Sequence, residues 1–271
     1  MASGKSSLRP GREARGATSR RVERSESASF APGDTASLRL RLLGAFALQS
    51  DGVPVRLPPA VRRVLAFVAL HERTLERTYV AGSLWLDSSD ERAHANLRSA
   101  LWRLRRHGRE LIDGAGSSLE LGGEVAIDLH ESRRLAREVL AGAEPPADIS
   151  THIAALAVDV LPDWYEDWVM FERERHRQLR LRALEALCEQ LAAADRTDEA
   201  LETGLAAVAG EPLRESAYRA IVRVHIAVGN VGEAVRVYRL YRQLLLEQLG
   251  TEPSPLMEAL IEGLHVRDEH R

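Results

Sequence analysis

Between Arg92 and Arg109 the chain carries six arginines, one asparagine and no acid. Guanidinium groups are permanent cations that pair with phosphate. Arginine and asparagine are also the side chains that pair bidentately with guanine and adenine edges. At 100° per residue, Ala93, Leu97, Ala100, Leu101 and Leu104 fall within one sector about 100° wide, the stripe a helix buries. On the far side Arg92, Ser99 and Arg106 lie along one line seven residues apart, with Trp102 beside them. Asn96 and Arg103 flank that line on one side, Arg98 and Arg105 on the other. An outward cationic helix of this kind fits the major groove of a DNA duplex, about 12 Å wide. Solvated helix faces usually mix charge signs, and this one has no balancing acid. Trp102 is expected to pack beneath a following hairpin in preference to reaching a duplex.

Other chemistry finds little support. Gly4-Lys5-Ser6 imitates the end of a phosphate-binding loop but lacks its earlier glycine and preceding strand. Neither H-E-x-x-H nor G-x-S-x-G occurs, and the nine histidines show no ligand-type pair at i, i+4. Asp163, Glu166 and Asp167 read as a solvated helix start, where acids meet the positive end of the helix dipole. Cys188 is a single cysteine, which excludes an internal disulfide and a cysteine-based zinc site. No catalytic residue, metal or cofactor is expected, and the protein is not expected to be an enzyme.

The arginine helix needs a scaffold, and the preceding residues supply one. Leu40, Leu42 and Ala45 to Leu48 read as short strands, Asp51-Gly52 as a turn, and Val53 to Leu57 as the returning strand. After Pro58-Pro59, Val61, Val64, Leu65, Val68 and Ala69 repeat at three and four residues, predicting a helix to about His71 with one buried stripe. A second helix covers about Thr78 to Trp85. Asp87-Ser88-Ser89-Asp90 offers side-chain oxygens to cap the third, which runs from about Glu91 to Arg106. Leu119 to Ile127 then reads as a hairpin. A three-residue loop, setting Leu121 opposite Val125 and Leu119 opposite Ile127, keeps its four apolar residues on one face. Three helices followed by a hairpin, with a short sheet in front, make a winged helix-turn-helix whose third helix is the recognition helix.

From Asp128 onward the pattern is helical. A loop covers Ala143 to Ala147, a helix about Ile149 to Val160, and after Pro162 a short helix leads into a long one, about Glu172 to Ala193. Ala183, Ala186, Leu187, Ala193, Glu199, Ala200 and Leu201 then recur 34 residues later as Ala217, Ala220, Ile221, Ala227, Glu233, Ala234 and Val235. That is the tetratricopeptide period, two helices per unit. Two units cannot bury an extended stack, so the helices before Glu172 must cap it. Leu256 to Leu264 forms a last amphipathic helix. The fold class is therefore mainly α: a winged helix with short β-sheets, followed by an all-α tetratricopeptide-like domain.

The chain has 271 residues, 45% hydrophobic and 28% charged, enough for two modest globular domains. Its longest apolar run, Val64 to Leu70, is far too short to span a bilayer. Without a secretory signal pattern, a cytoplasmic location is expected, nucleoid-associated when bound to DNA. Three parts are expected: a disordered basic tail over 1–37, a winged helix over 38–128 and a helical domain over 129–271. Residues 1–30 hold seven cations against three acids, 38–128 thirteen against eleven, and 129–271 seventeen against twenty-five. A basic front and an acidic back suit a polyanion partner for the front alone. Of 37 cations 36 are arginine, a bias of coding composition that is weak evidence by itself.

Three segments carry a family resemblance: Arg62-Arg63-Val64-Leu65-Ala66, Leu84-Trp85, and Ala95-Asn96-Leu97-Arg98-Ser99-Ala100-Leu101-Trp102-Arg103-Leu104-Arg105-Arg106. Together they resemble the Streptomyces antibiotic regulatory protein family, in which an OmpR/PhoB-type winged helix precedes a bacterial transcriptional activator domain. Leu161-Pro162-Asp163-Trp164-Tyr165 with Trp168, and Glu211-Pro212-Leu213-Arg214-Glu215-Ser216-Ala217, are similar to signatures of that second domain. The resemblance implies a transcriptional activator that binds direct repeats in double-stranded promoter DNA as paired protomers and contacts RNA polymerase holoenzyme. It matches Asn96, Arg98, Ser99, Arg103 and Arg106 to the recognition-helix motif; with Arg92 these are the expected DNA-binding residues. Leu86 stands where the family usually has proline, and Gly122-Gly123-Glu124, at the wing tip, offers no cation to phosphate. No receiver or nucleotide-hydrolysing region is read in these residues, so control is expected to come from abundance or a partner. The alternative is a helical-repeat adaptor whose winged helix binds protein instead of DNA.

Overall fold

The computed structural model describes residues 38–106, 111–114, 116–122 and 125–265; the tail expected over 1–37, and Gly123-Glu124 of the expected wing tip, lie outside them. The front is a meander of β1 (Leu38–Arg41), β2 (Ala47–Ser50) and β3 (Val53–Val55), paired antiparallel. Asp51 and Gly52 both have positive φ (50° and 80°), the backbone a tight two-residue hairpin demands. Leu38 and Leu40 point into the core while Arg39 and Arg41 face out, the alternation of a half-buried sheet.

Helix α1 (Pro59–His71) starts with proline in its first turn, where no N–H is needed. The expected single stripe is wider than periodicity suggests: every residue from Val64 to Leu70 is buried. Strand β4 (Leu75–Glu76), helix α2 (Arg77–Leu84) and helix α3 (Asp90–Arg105) follow. Both α2 and α3 pack on α1, which explains its all-round burial. The positions of α1, α2 and α3 agree with the sequence reading to within two residues.

The hairpin expected over Leu119 to Ile127 is not formed. Strand β6 (Ser118–Leu121) pairs instead with β5 (Ile112–Asp113) and β4, with Leu121 opposite Ile112 and Leu119 opposite Leu75. Strand β7 (Val125–Ile127) joins the front sheet, parallel to β1, with Ile127 opposite Leu40. The front sheet thus runs β3-β2-β1-β7. The inward assignment of Leu119 and Ile127 stands, since both are buried. Their partners differ because β1 has an open edge whose backbone groups β7 satisfies, at a sequence distance no local pattern can report.

The helical part comprises α4 (Asp128–Leu140), α5 (Ile149–Ala157), α6 (Asp167–Ala193), α7 (Thr197–Gly210), α8 (Glu215–Ala227), α9 (Val231–Leu249) and α10 (Pro255–His265). α6 with α7 and α8 with α9 are the two repeat units, and the paired positions Ala183/Ala217, Leu187/Ile221 and Ala200/Ala234 are all buried. α4 and α5 cap the stack on α6, as the two-unit repeat requires.

Two boundaries differ from expectation. α5 stops at Ala157, three residues before Val160, because Val160 bridges to Leu43 while Gly44 donates to the Asp159 carbonyl and Leu161 to that of Leu42. The short helix and long helix expected after Pro162 are one, beginning at Asp167. The core of the front part runs on into Val160, Leu161 and Val169, with Trp164 and Trp168 packed against it.

Candidate nucleic-acid interface

Helix α3 is anchored by its apolar stripe. Ala93, Leu97, Ala100, Leu101 and Leu104 are all buried. Asp90 and Glu91 in its first turn and Arg103 and Arg105 in its last suit the helix dipole at both ends. Ser89 is the N-cap residue but makes no side-chain capping bond, contrary to the sequence expectation. The acids of the first turn supply the favourable charge instead.

Orientation of the stripe decides where the cations go. Arg92, Arg98, Ser99, Arg103, Arg105 and Arg106 are exposed, and Asn96 is half-buried at the edge of the same face. Among the described residues none of these five arginines pairs with a carboxylate. Elsewhere arginines are extensively paired, as Arg177 with Glu174 and Arg214 with Glu185 show. The contrast is local and chemical: α3 beyond Glu91 brings no acid of its own, and no carboxylate among the described residues pairs with its arginines.

Trp102 overturns its expected role. It is 58% exposed, not packed under a hairpin, and the guanidinium carbon of Arg106 stands 4.9 Å from its ring centroid. The strand that was to cover it pairs elsewhere. The projection at 100° per residue sets Trp102 on the outward side; the expected hairpin over it is what the structure does not form.

The helical part is fastened to the back of the winged helix. Arg63 on α1 donates through Nε to Glu166 at 3.1 Å and through Nη2 to the Leu84 carbonyl at 2.9 Å. Arg133 on α4 donates to the Leu70 carbonyl and pairs with Glu72 and Glu172. The Asp128 carboxylate accepts from the backbone N–H groups of Leu42, Leu43 and Leu129, joining β1 to α4. Burial pushes that carboxyl up to about 6, although the three N–H bonds favour its charged form. Near the α2–α3 connection, Leu86, Tyr165 and Phe171 stand exposed around a groove of about 610 Å³ that Arg63 and Glu166 also line. No group of three or more metal-ligating side chains occurs among the described residues, and no helix there is long and apolar enough to cross a membrane.

A winged helix joined to a tetratricopeptide-like helical domain is the architecture of a transcription regulator. The family profile of the bacterial transcriptional activator domain matches residues 127–265, more than half of the chain, and the chain belongs to that family. Among curated proteins it is similar to Regulatory protein AfsR of Streptomyces coelicolor, 26% identical over 240 residues. That match covers 84% of this chain and 24% of the relative, so the chain spans about a quarter of the relative's length. The structure of Mycobacterium tuberculosis EmbR, solved in complex with a low affinity phosphopeptide, shares the fold at a TM-score of 0.66 and 21% identity. It covers 85% of this chain and 65% of EmbR. The resemblance to the Streptomyces antibiotic regulatory proteins, drawn above from motifs, is borne out.

Proposed function

We propose that the chain is a sequence-specific DNA-binding activator that reads promoter direct repeats through α3, as paired protomers, and meets RNA polymerase holoenzyme through its helical part. The observation that carries this reading is the outward face of α3, where five arginines stand exposed and unpaired among the described residues while the apolar stripe is buried. Arg92, Asn96, Arg98, Ser99, Arg103 and Arg106 are the DNA-binding residues of this proposal. Arginines contact phosphates for position and base edges for specificity.

Residues 38–128 form the reading part and 129–265 the part that meets protein. The acidic surplus of the second part keeps it from the duplex, and its exposed Tyr165 and Phe171, with Leu86 of the reading part beside them, supply an apolar contact patch of the kind that marks protein interaction sites. Its location is the cytoplasm. Footprinting on promoters near the chain's own gene is the direct test. Protection of two spaced direct repeats supports the proposal; no protection at any promoter, with binding to other proteins retained, favours the adaptor.

A further inference from the structure

We propose that Trp102 reads the 5-methyl group of a thymine lying within one or two base pairs of a guanine contacted by Arg106. The inference rests on the DNA-binding reading above and names part of the sequence that reading leaves open.

Four tryptophans occur in the chain, and three of them, Trp85, Trp164 and Trp168, pack against the N-terminal core. Trp102 alone stays out, 58% exposed on a helix whose other outward residues are mostly cationic or polar. Projected at 100° per residue, it stands roughly 30° from the centre of the face opposite the buried stripe, with Ala95 and Arg106 as its neighbours there. A large apolar ring in that place joins none of the hydrophobic clusters of the described residues, yet it occupies the middle of the surface that enters the groove. The major groove offers one apolar group, the thymine C5 methyl; every other group on its floor is a donor or an acceptor.

Arg106 sharpens the assignment. Its guanidinium carbon lies 4.9 Å from the indole centroid, within the range of a cation–π contact. Stacking holds the guanidinium beside the ring, and its N–H groups remain free for the O6 and N7 of guanine. Bases along one strand are spaced by about 3.4 Å. Two side chains held this close must therefore touch the same or neighbouring base pairs.

The test begins with the full chain and a random-sequence duplex library, from which bound sites are selected at fixed salt. Each thymine of the selected site is then replaced singly by deoxyuridine, which removes only the methyl group. Wild-type protein should bind roughly fourfold more weakly at one such position next to a guanine, the worth of one buried methyl. Trp102→Ala should bind the thymine duplex more weakly and be indifferent to deoxyuridine at that position, with Trp102→Phe between the two. An unchanged melting temperature for Trp102→Ala, expected for an exposed side chain, separates loss of contact from loss of fold. A flat deoxyuridine series with wild type overturns the inference and leaves the proposed function standing. So does a methyl penalty that survives in Trp102→Ala, or a selected site without thymine. A library that yields no site at all brings down the proposed function together with the inference.

Discussion

Arg133 on α4 and Glu172 on α6 meet at 2.8 Å, with the arginine side chain only 4% exposed and its other nitrogen paired to Glu72 at 2.7 Å. One buried cation thus ties the end of α1 to two helices of the activator part. Its burial is tolerable because both carboxylates and the Leu70 carbonyl surround it.

Arg133→Ala should therefore be severe. It leaves Glu172, itself 14% exposed, with only the longer contact to the exposed Arg175 at 3.6 Å, and breaking a buried pair from one side costs about 3–5 kcal/mol. Urea denaturation followed by circular dichroism measures this. A loss below about 1 kcal/mol would show that the pair contributes little to holding the parts together.

Asp128 gives a pH signature. Burial raises its folded-state carboxyl to about 6 from the ordinary 3.8, so between those values the folded chain holds a proton that the unfolded chain has released. Its contribution to stability must fall as pH rises from about 4 to 6, by on the order of 3 kcal/mol. Asp128→Asn keeps one acceptor oxygen and cannot ionise. Its stability relative to wild type should therefore improve from pH 4 to pH 7, as read by urea midpoints at both values. A difference independent of pH would refute the assignment.

Gly204 marks the closest packing in the helical repeat. A Cβ there would lie 2.6 Å from Cγ1 of Ile221 and 3.3 Å from Sγ of Cys188, where α7 meets α8 and α6. Gly204→Ala should destabilise by about 1–3 kcal/mol despite alanine's better helix propensity. Thermal melting checks it, and Gly232→Ala, at a glycine with open space around it, should show no such loss.

The arginine face should be separable from the fold. Arg103 and Arg106 are exposed and carry no ion pair among the described residues, so Arg103→Ala and Arg106→Ala should shift stability by no more than about 0.5 kcal/mol. Specific promoter binding should nonetheless be lost in both. Wild-type affinity in either variant, measured at stated salt, would remove that residue from the interface.

Local periodicity carried much of this structure. The stripe from Ala93 to Leu104 is buried residue for residue, and the 34-residue recurrence places Ala183 and Ala217, or Ala200 and Ala234, in equivalent buried positions. Three of the features that differ depend on partners far away in the chain. Val125 to Ile127 alternates like half of a hairpin, yet it pairs with β1, some 87 residues earlier in the register of Leu38 with Val125. Val160 looks helical by composition but is held extended by Leu43. Trp102, on the outward side of α3 by projection, is expected beneath the hairpin of Leu119 to Ile127, and it stands exposed because β6 and β7 pair with other strands. Among the site residues, position along α3 was legible; freedom from ion pairs was not, since any carboxylate to pair with could have come from the other part of the chain.

The most direct measurement is a salt titration of duplex binding by the full chain, with Arg103→Ala and Arg106→Ala alongside. For wild type the logarithm of affinity should fall steeply and linearly with the logarithm of salt concentration, by a slope near 0.9 per phosphate neutralised. A variant lacking a phosphate contact should lose about one unit of slope. A flat response for wild type, or affinities and slopes identical in all three proteins, would contradict a duplex-reading role for the outward face of α3.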